Sequence, residues 1–175
     1  MPSPTDSGAL GLSRSVLSLL VKLTPVAGVF ILALLVASLI APEFTMRALG
    51  MDAEIGHAPF VLGMRMVMLL GIVAVIVTQM VLVRLQAIVD TVRLGDPFIV
   101  ENAVRLQQIA WFVLAGELLH LVIVAVAATM STTATPIDIR WKMSITRWLV
   151  VLLLFVLARV FETGARIRED LEGTV

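Results

Sequence analysis

The chain has 175 residues, 59% of them apolar, with 13 basic and 13 acidic side chains and a formal net charge of zero; its mean hydropathy is +1.03. Soluble domains carry about 45–50% apolar residues, and small ones need a large polar share to cover their surface, so this composition excludes an ordinary soluble domain. The balanced charge gives no case for direct nucleic-acid binding. The lack of cysteine excludes disulfides, thiolate metal sites and a cysteine nucleophile, and with only His57 and His120 a histidine-rich metal centre is excluded too.

Residues 1–22 are polar, with Ser, Pro, Gly, Arg14 and Lys22, and read as a tail. From Leu23 to Pro42 there is no charge, and about 20 residues rising about 1.5 Å each cross the roughly 30 Å hydrocarbon layer. A first membrane helix is therefore predicted over about 23–42. Pro25 falls in its first turns, where a missing N–H matters least, and Ala33 with Ala37 offers a small-residue pair for close packing. The apolar run and its polar leader are both long for a cleaved signal peptide. Residues 43–58, with Glu43, Arg47, Asp52 and Glu54, read as a loop in which His57 is solvated.

A second helix is predicted over 59–94, with 59–83 in the membrane and Arg65 near its start. Beyond Arg84, residues Leu85, Ile88, Val89 and Val92 recur on one helical face, opposite Gln86, Asp90 and Arg93. This extension outruns the bilayer and must project into water or lie along the surface. Gly95-Asp96-Pro97 then reads as a stop followed by a start. Glycine suits a left-handed C-terminal position, Asp96 can cap the next helix, and Pro97 suits its first residue.

The third helix, 97–130, begins amphipathic with Glu101, Asn102, Arg105, Gln107 and Gln108 and becomes apolar from Ile109, with Trp111 suited to an interface. After a loop at 131–144, which carries Arg140, Trp141 and Lys142, a fourth helix is predicted over 144–163. Its apolar stretch, Trp148 to Ala158, is 11 residues long between Arg147 and Arg159, so both arginines must snorkel or pair. Residues 164–175 form a charged tail whose alternating signs suit continuation of the helix. The expected fold is an all-α integral membrane protein: a four-transmembrane-helix bundle with a cytoplasmic helical extension between the second and third helices.

Eight cations (Arg14, Lys22, Arg84, Arg93, Arg105, Arg159, Arg166, Arg168) fall on one side and five (Arg47, Arg65, Arg140, Lys142, Arg147) on the other. The positive-inside rule then places both termini in the cytoplasm. Within the spans, Glu117 and His120 share a helical face, and Arg159 would reach a similar depth from the fourth helix, with Gln79 and Arg84 nearby. An unpaired charge in lipid costs about 2.5–3.5 kcal/mol, so pairing or protonation of Glu117 is expected. The cluster could be a proton relay, an ion site or a pH switch, or a clamp fixing helix packing. So few ionisable groups, without inverted repeats or broken helices, are sparse for a transporter, which favours the clamp. No catalytic motif and no cofactor site is found, and no enzyme is expected.

Gly95-Asp96-Pro97-Phe98, Glu101-Asn102, Arg105-Leu106 and Trp111, with the ending Leu157-Ala158-Arg159-Val160-Phe161, Gly164-Ala165-Arg166, Arg168-Glu169-Asp170 and Leu171-Glu172-Gly173-Thr174-Val175, resemble the signature of a bacterial membrane family catalogued as domain of unknown function 2975. The likeness covers nearly the whole chain. Relatives often carry an acid where Arg159 stands, so no shared role passes to that position. The resemblance implies four membrane helices, the bacterial inner membrane and no assigned activity. It also implies a small helix-turn-helix regulator encoded nearby, as a partner to be held or released.

The sequence thus suggests a non-enzymatic membrane protein docking a cytosolic partner through Arg93, Asp96, Glu101, Arg105, Arg166 and Arg168. The apolar stripe of the extension could instead pack on the protein's own tail or lie in the lipid interface. A small transporter or ion-coupled sensor using Glu117, His120, Arg159, Gln79 and Arg84, and an accessory subunit of a membrane complex, are the other expectations. A homo-oligomer is left open.

Overall fold

The computed structural model describes residues 4–48, 58–130 and 145–172. Among these lie five helices: α1 Pro4–Ile40, α2 Pro42–Ala48, α3 Ala58–Arg93, α4 Val100–Met130 and α5 Ile145–Glu172. Four stretches are long and apolar enough to cross a membrane, Gly11–Ile40, Phe60–Arg93, Val100–Thr129 and Ile145–Leu171. Eleven apolar side chains are buried among the described residues, while 39 large apolar ones are exposed. That distribution inverts the one water imposes and marks surface meant for apolar surroundings.

The elements differ from the sequence expectation at three places. The polar leader is helical from Pro4, not a tail. Tertiary contact carries it through its unfavourable composition: Leu17 is buried, and Arg14 Nε reaches Asp90 Oδ1 at 2.8 Å. Pro25 therefore sits inside a long helix rather than in its first turns. The stretch expected as loop opens with α2, where Pro42 stands at the first position, as suits its fixed φ, and the buried Thr45 returns both its N–H and its hydroxyl to the Ala41 carbonyl. Asp52, Glu54 and His57 lie outside the described residues, as do residues 131–144 with Arg140, Trp141 and Lys142.

The third difference is the start of α4. The chain leaves α3 through a Schellman closure: Asp96 N–H reaches Thr91 O at 3.1 Å and Gly95 N–H reaches Val92 O at 3.1 Å, with Gly95 at φ 86°, the left-handed conformation that only glycine adopts cheaply. Residues 96–99 are then non-helical. The first carbonyl taken into α4 is that of Ile99, bonded by Asn102 N at 3.0 Å and Ala103 N at 3.4 Å. Asp96 is thus not the cap. The following proline biases it to extended backbone, and its carboxylate is held by Arg168.

Two compact units are present. The first draws on residues 1–24, 77–115 and 144–175. Its core is Ile88, Leu106, Ile109 and Ala158, with Val81, Val92, Val113, Leu154 and Phe161 packed around them. Ile88 and Val92 belong to the extension's apolar stripe, so half of that stripe is used internally. The second unit draws on residues 25–76 and 116–143. There α1 and α3 approach closely at Gly28, where an added Cβ would lie 3.0 Å from Val75 Cγ1. The close approach is at this glycine and not at Ala33, which is exposed.

Gly95→Ala should lower unfolding stability in detergent by about 1–2 kcal/mol, the cost of a left-handed residue with a Cβ. Gly95→Asn should cost less and Gly95→Val more. Equal melting of the valine variant and wild type would show that the turn is not left-handed.

Candidate functional site

The most fully hydrogen-bonded polar site among the described residues lies where α3, the following turn, α4 and α5 meet. Asn102 stands in the first turn of α4 and is 0% exposed. Its Nδ2 donates to Thr91 Oγ1 at 2.7 Å and to Pro97 O at 3.0 Å, and its Oδ1 accepts from Arg105 Nη1 at 2.8 Å. Thr91 in turn donates its hydroxyl to Ile88 O at 2.7 Å. Every hydrogen-bonding group of the amide is used, as a buried amide requires. The second tie is apolar: Phe98 stacks on Phe161 with ring centroids 5.2 Å apart, and Gly164 faces Phe98 so closely that a Cβ there would lie 3.0 Å from its ring. The third is the Arg168–Asp96 ion pair. Together they fix the turn to the end of α5.

Of the residues expected to form an intramembrane cluster, Gln79, Arg84 and Arg159 lie in the first unit and have the following partners. Gln79 Nε2 donates to Val21 O at 3.2 Å. Pro25 explains why: it has no N–H to give the carbonyl four residues before it, so the amide from α3 replaces the missing helical bond. The same arrangement occurs in the second unit. Pro42 cannot serve Ser38 O, and Arg65 does, with Nη2 at 2.5 Å and Nε at 3.2 Å from Ser38 Oγ. Arg84 binds Gln108 Oε1 at 2.6 Å and Met80 O at 3.0 Å and lies 4.6 Å over the Phe112 ring. Arg159 pairs with Glu162 at 2.7 Å on its own helix, and Arg166 takes the other oxygen of that carboxylate at 2.7 Å. Glu117 and His120 lie on α4 in the second unit, Glu117 half-buried and His120 exposed.

Of the expected docking residues, Arg93 and Glu101 are exposed at the ends of α3 and α4. Arg105 is committed to Asn102 and Arg166 to Glu162. Asp96 and Arg168 are paired yet keep 42% and 45% of their side chains exposed. Beside them is a cleft of about 200 Å³ lined by Asp96, Phe98, Glu101, Ala165, Arg168 and Glu169 among others. Leu94, 85% exposed, stands at the lip of the turn. Sequence reasoning named Asn102 only as one polar residue of an amphipathic stretch, and did not single out Thr91, Ser38, Arg65 or Glu162 as partners. For Arg65 and Gln79 a usable signal existed: a proline inside or just after an apolar helix obliges a donor on a neighbour.

The model of a family described as protein of unknown function (DUF2975) matches residues 24–175. No curated protein and no solved structure matches the chain.

Asn102→Ala should cost about 2–3 kcal/mol, since Thr91, Pro97 and Arg105 lose partners in a buried place. Gln79→Leu should cost about 1–2 kcal/mol in the wild-type background but less than about 0.5 kcal/mol alongside Pro25→Ala, which restores the helical N–H. A double-mutant cycle of detergent unfolding measures this. An equal cost in both backgrounds would break the link between proline and amide.

Proposed function

The chain belongs to the family described as protein of unknown function (DUF2975), and from that premise we propose that it is a non-enzymatic multi-pass protein of the bacterial inner membrane that docks a cytosolic partner at the α3–α4 turn. The supporting observation is the combination found there. A backbone fixed by the buried Asn102 presents an almost bare Leu94, flanked by exposed Arg93 and Glu101 and by the half-exposed Asp96–Arg168 pair. Preorganised backbone lowers the entropy cost of binding, and an apolar anchor ringed by charge is the usual anatomy of a protein contact.

The positive-inside balance of eight cations against five supports a cytoplasmic side for this turn and both termini. The partner is proposed to be a small helix-turn-helix regulator, held at the membrane and released on a signal. Its contact would use Leu94, Arg93, Glu101 and the exposed side of Arg168. Arg105 drops out of the docking set because its guanidinium is a strut for Asn102. The transporter reading has less support: Gln79, Arg84 and Arg159 each answer a local demand.

Purification from native membranes in mild detergent, with mass spectrometry of what accompanies the protein, tests this reading. A small DNA-binding protein in near-equal amount is expected. Arg93→Glu with Leu94→Asp should weaken its retention at least about tenfold while leaving membrane insertion and melting unchanged. Undiminished retention by the double variant would remove the turn as the contact, and recovery with membrane proteins only would favour an accessory-subunit role.

A further inference from the structure

Within the first unit, the leading part of α1 and the extension of α3 enclose an open groove of about 480 Å³, lined by Arg14, Ser15, Ser18, Leu19, Lys22 and Gln86. All but Leu19 bring a polar group, and two of those groups are cationic. One acid is joined to the groove: Asp90 holds Arg14 through its Nε at 2.8 Å, and the Arg14 side chain stays 51% exposed. The Ser15 hydroxyl gives its proton to Gly11 O at 3.1 Å. Lys22, Ser18 and Gln86 supply the remaining donors.

The position of the groove matters as much as its composition. Lys22 is the last charged residue before the uncharged stretch Leu23–Pro42. On the membrane reading proposed above, on which this inference rests, that boundary is the depth of lipid headgroups. There the groove's side chains fall at the phosphate layer, while the exposed Leu23 begins the uncharged stretch that would enter the acyl chains. Arginine and lysine with hydroxyl and amide donors are the chemistry that takes a phosphate, and juxtamembrane cations favour anionic lipid by a useful margin each.

We propose that this groove is a binding site for the phosphate of an anionic membrane lipid, held by Arg14 and Lys22 with Ser18 and Gln86 donating hydrogen bonds. Asp90 competes with the phosphate for Arg14, so occupancy would loosen the Arg14–Asp90 contact by as much as that contact weakens the lipid.

The test is lipid titration of the delipidated full-length protein in neutral detergent, followed by native mass spectrometry, with phosphatidylglycerol and phosphatidylcholine as probes. Wild type should bind phosphatidylglycerol more tightly than phosphatidylcholine. Lys22→Gln should weaken the anionic lipid about fivefold, Lys22→Arg should restore it, and Asp90→Asn, which frees Arg14, should strengthen it. Equal affinity for the two lipids, or no change in Lys22→Gln, overturns the proposal. Displacement of the lipid by inorganic phosphate at matching concentration would reassign the groove to a soluble anion and overturn it as well. Release of wild type from membranes by alkaline wash would instead remove the membrane premise. Partner retention at the turn does not involve Lys22 and is read separately.

Discussion

A backbone carbonyl without a donor cannot be left in apolar surroundings, and the polar architecture of this chain follows from that rule. Proline creates the deficit twice on α1, at Pro25 and after its end at Pro42. Each time a polar residue of α3 makes it good: Gln79 at Val21 in one unit, Arg65 at Ser38 in the other. Where every helix face is apolar, leucine against leucine distinguishes poorly between one rotation and another. A side chain that must meet one particular carbonyl does distinguish. These two contacts therefore fix the register of α1 on α3 more firmly than the surrounding apolar packing, in which Gly28 only permits the approach.

The turn after α3 works by the same rule in a compact form. Gly95 closes α3, and among the four non-helical residues that follow Asn102 takes the Pro97 carbonyl with its side chain and the Ile99 carbonyl with its backbone N–H. Buried and fully bonded, it contributes as part of a network whose members lose together. The exposed ion pairs differ in kind. Arg14–Asp90, Arg159–Glu162–Arg166 and Asp96–Arg168 are each substantially open to solvent, and such pairs contribute about 0–1 kcal/mol. Little is lost when one of them exchanges its partner, whereas exchange at Asn102 would unmake the turn.

This division also explains what the sequence could reveal. Four apolar helices, the run of α3 to Arg93, the glycine stop and the continuation of α5 beyond Thr163 follow from hydropathy and period, and they are present. The helical leader is hidden because serine, glycine and proline weigh against helix locally, while Arg14 is held by Asp90, far along the chain. Depth along the helices, which is what hydropathy gives, does not give rotation about the helix axis, and rotation decides that Arg84 meets Phe112 and Gln108. Asn102 was in view as a letter, but an asparagine in a first helical turn ordinarily faces water, and nothing local tells that this one is enclosed.

The distribution of cost over the first unit gives the strongest reason to seek function at its rim. The elements that would be expensive to disturb, Asn102, Thr91 and the Phe98–Phe161 stack, hold the backbone. The elements that are cheap to disturb border that frame: the Asp96–Arg168 pair, Arg93 and Leu94. On the two proposals above, a frame that keeps its shape while its surface charges change partners would take a protein at the turn or an anionic group in the groove without refolding. The free energy of either event then goes into the contact itself rather than into ordering the chain.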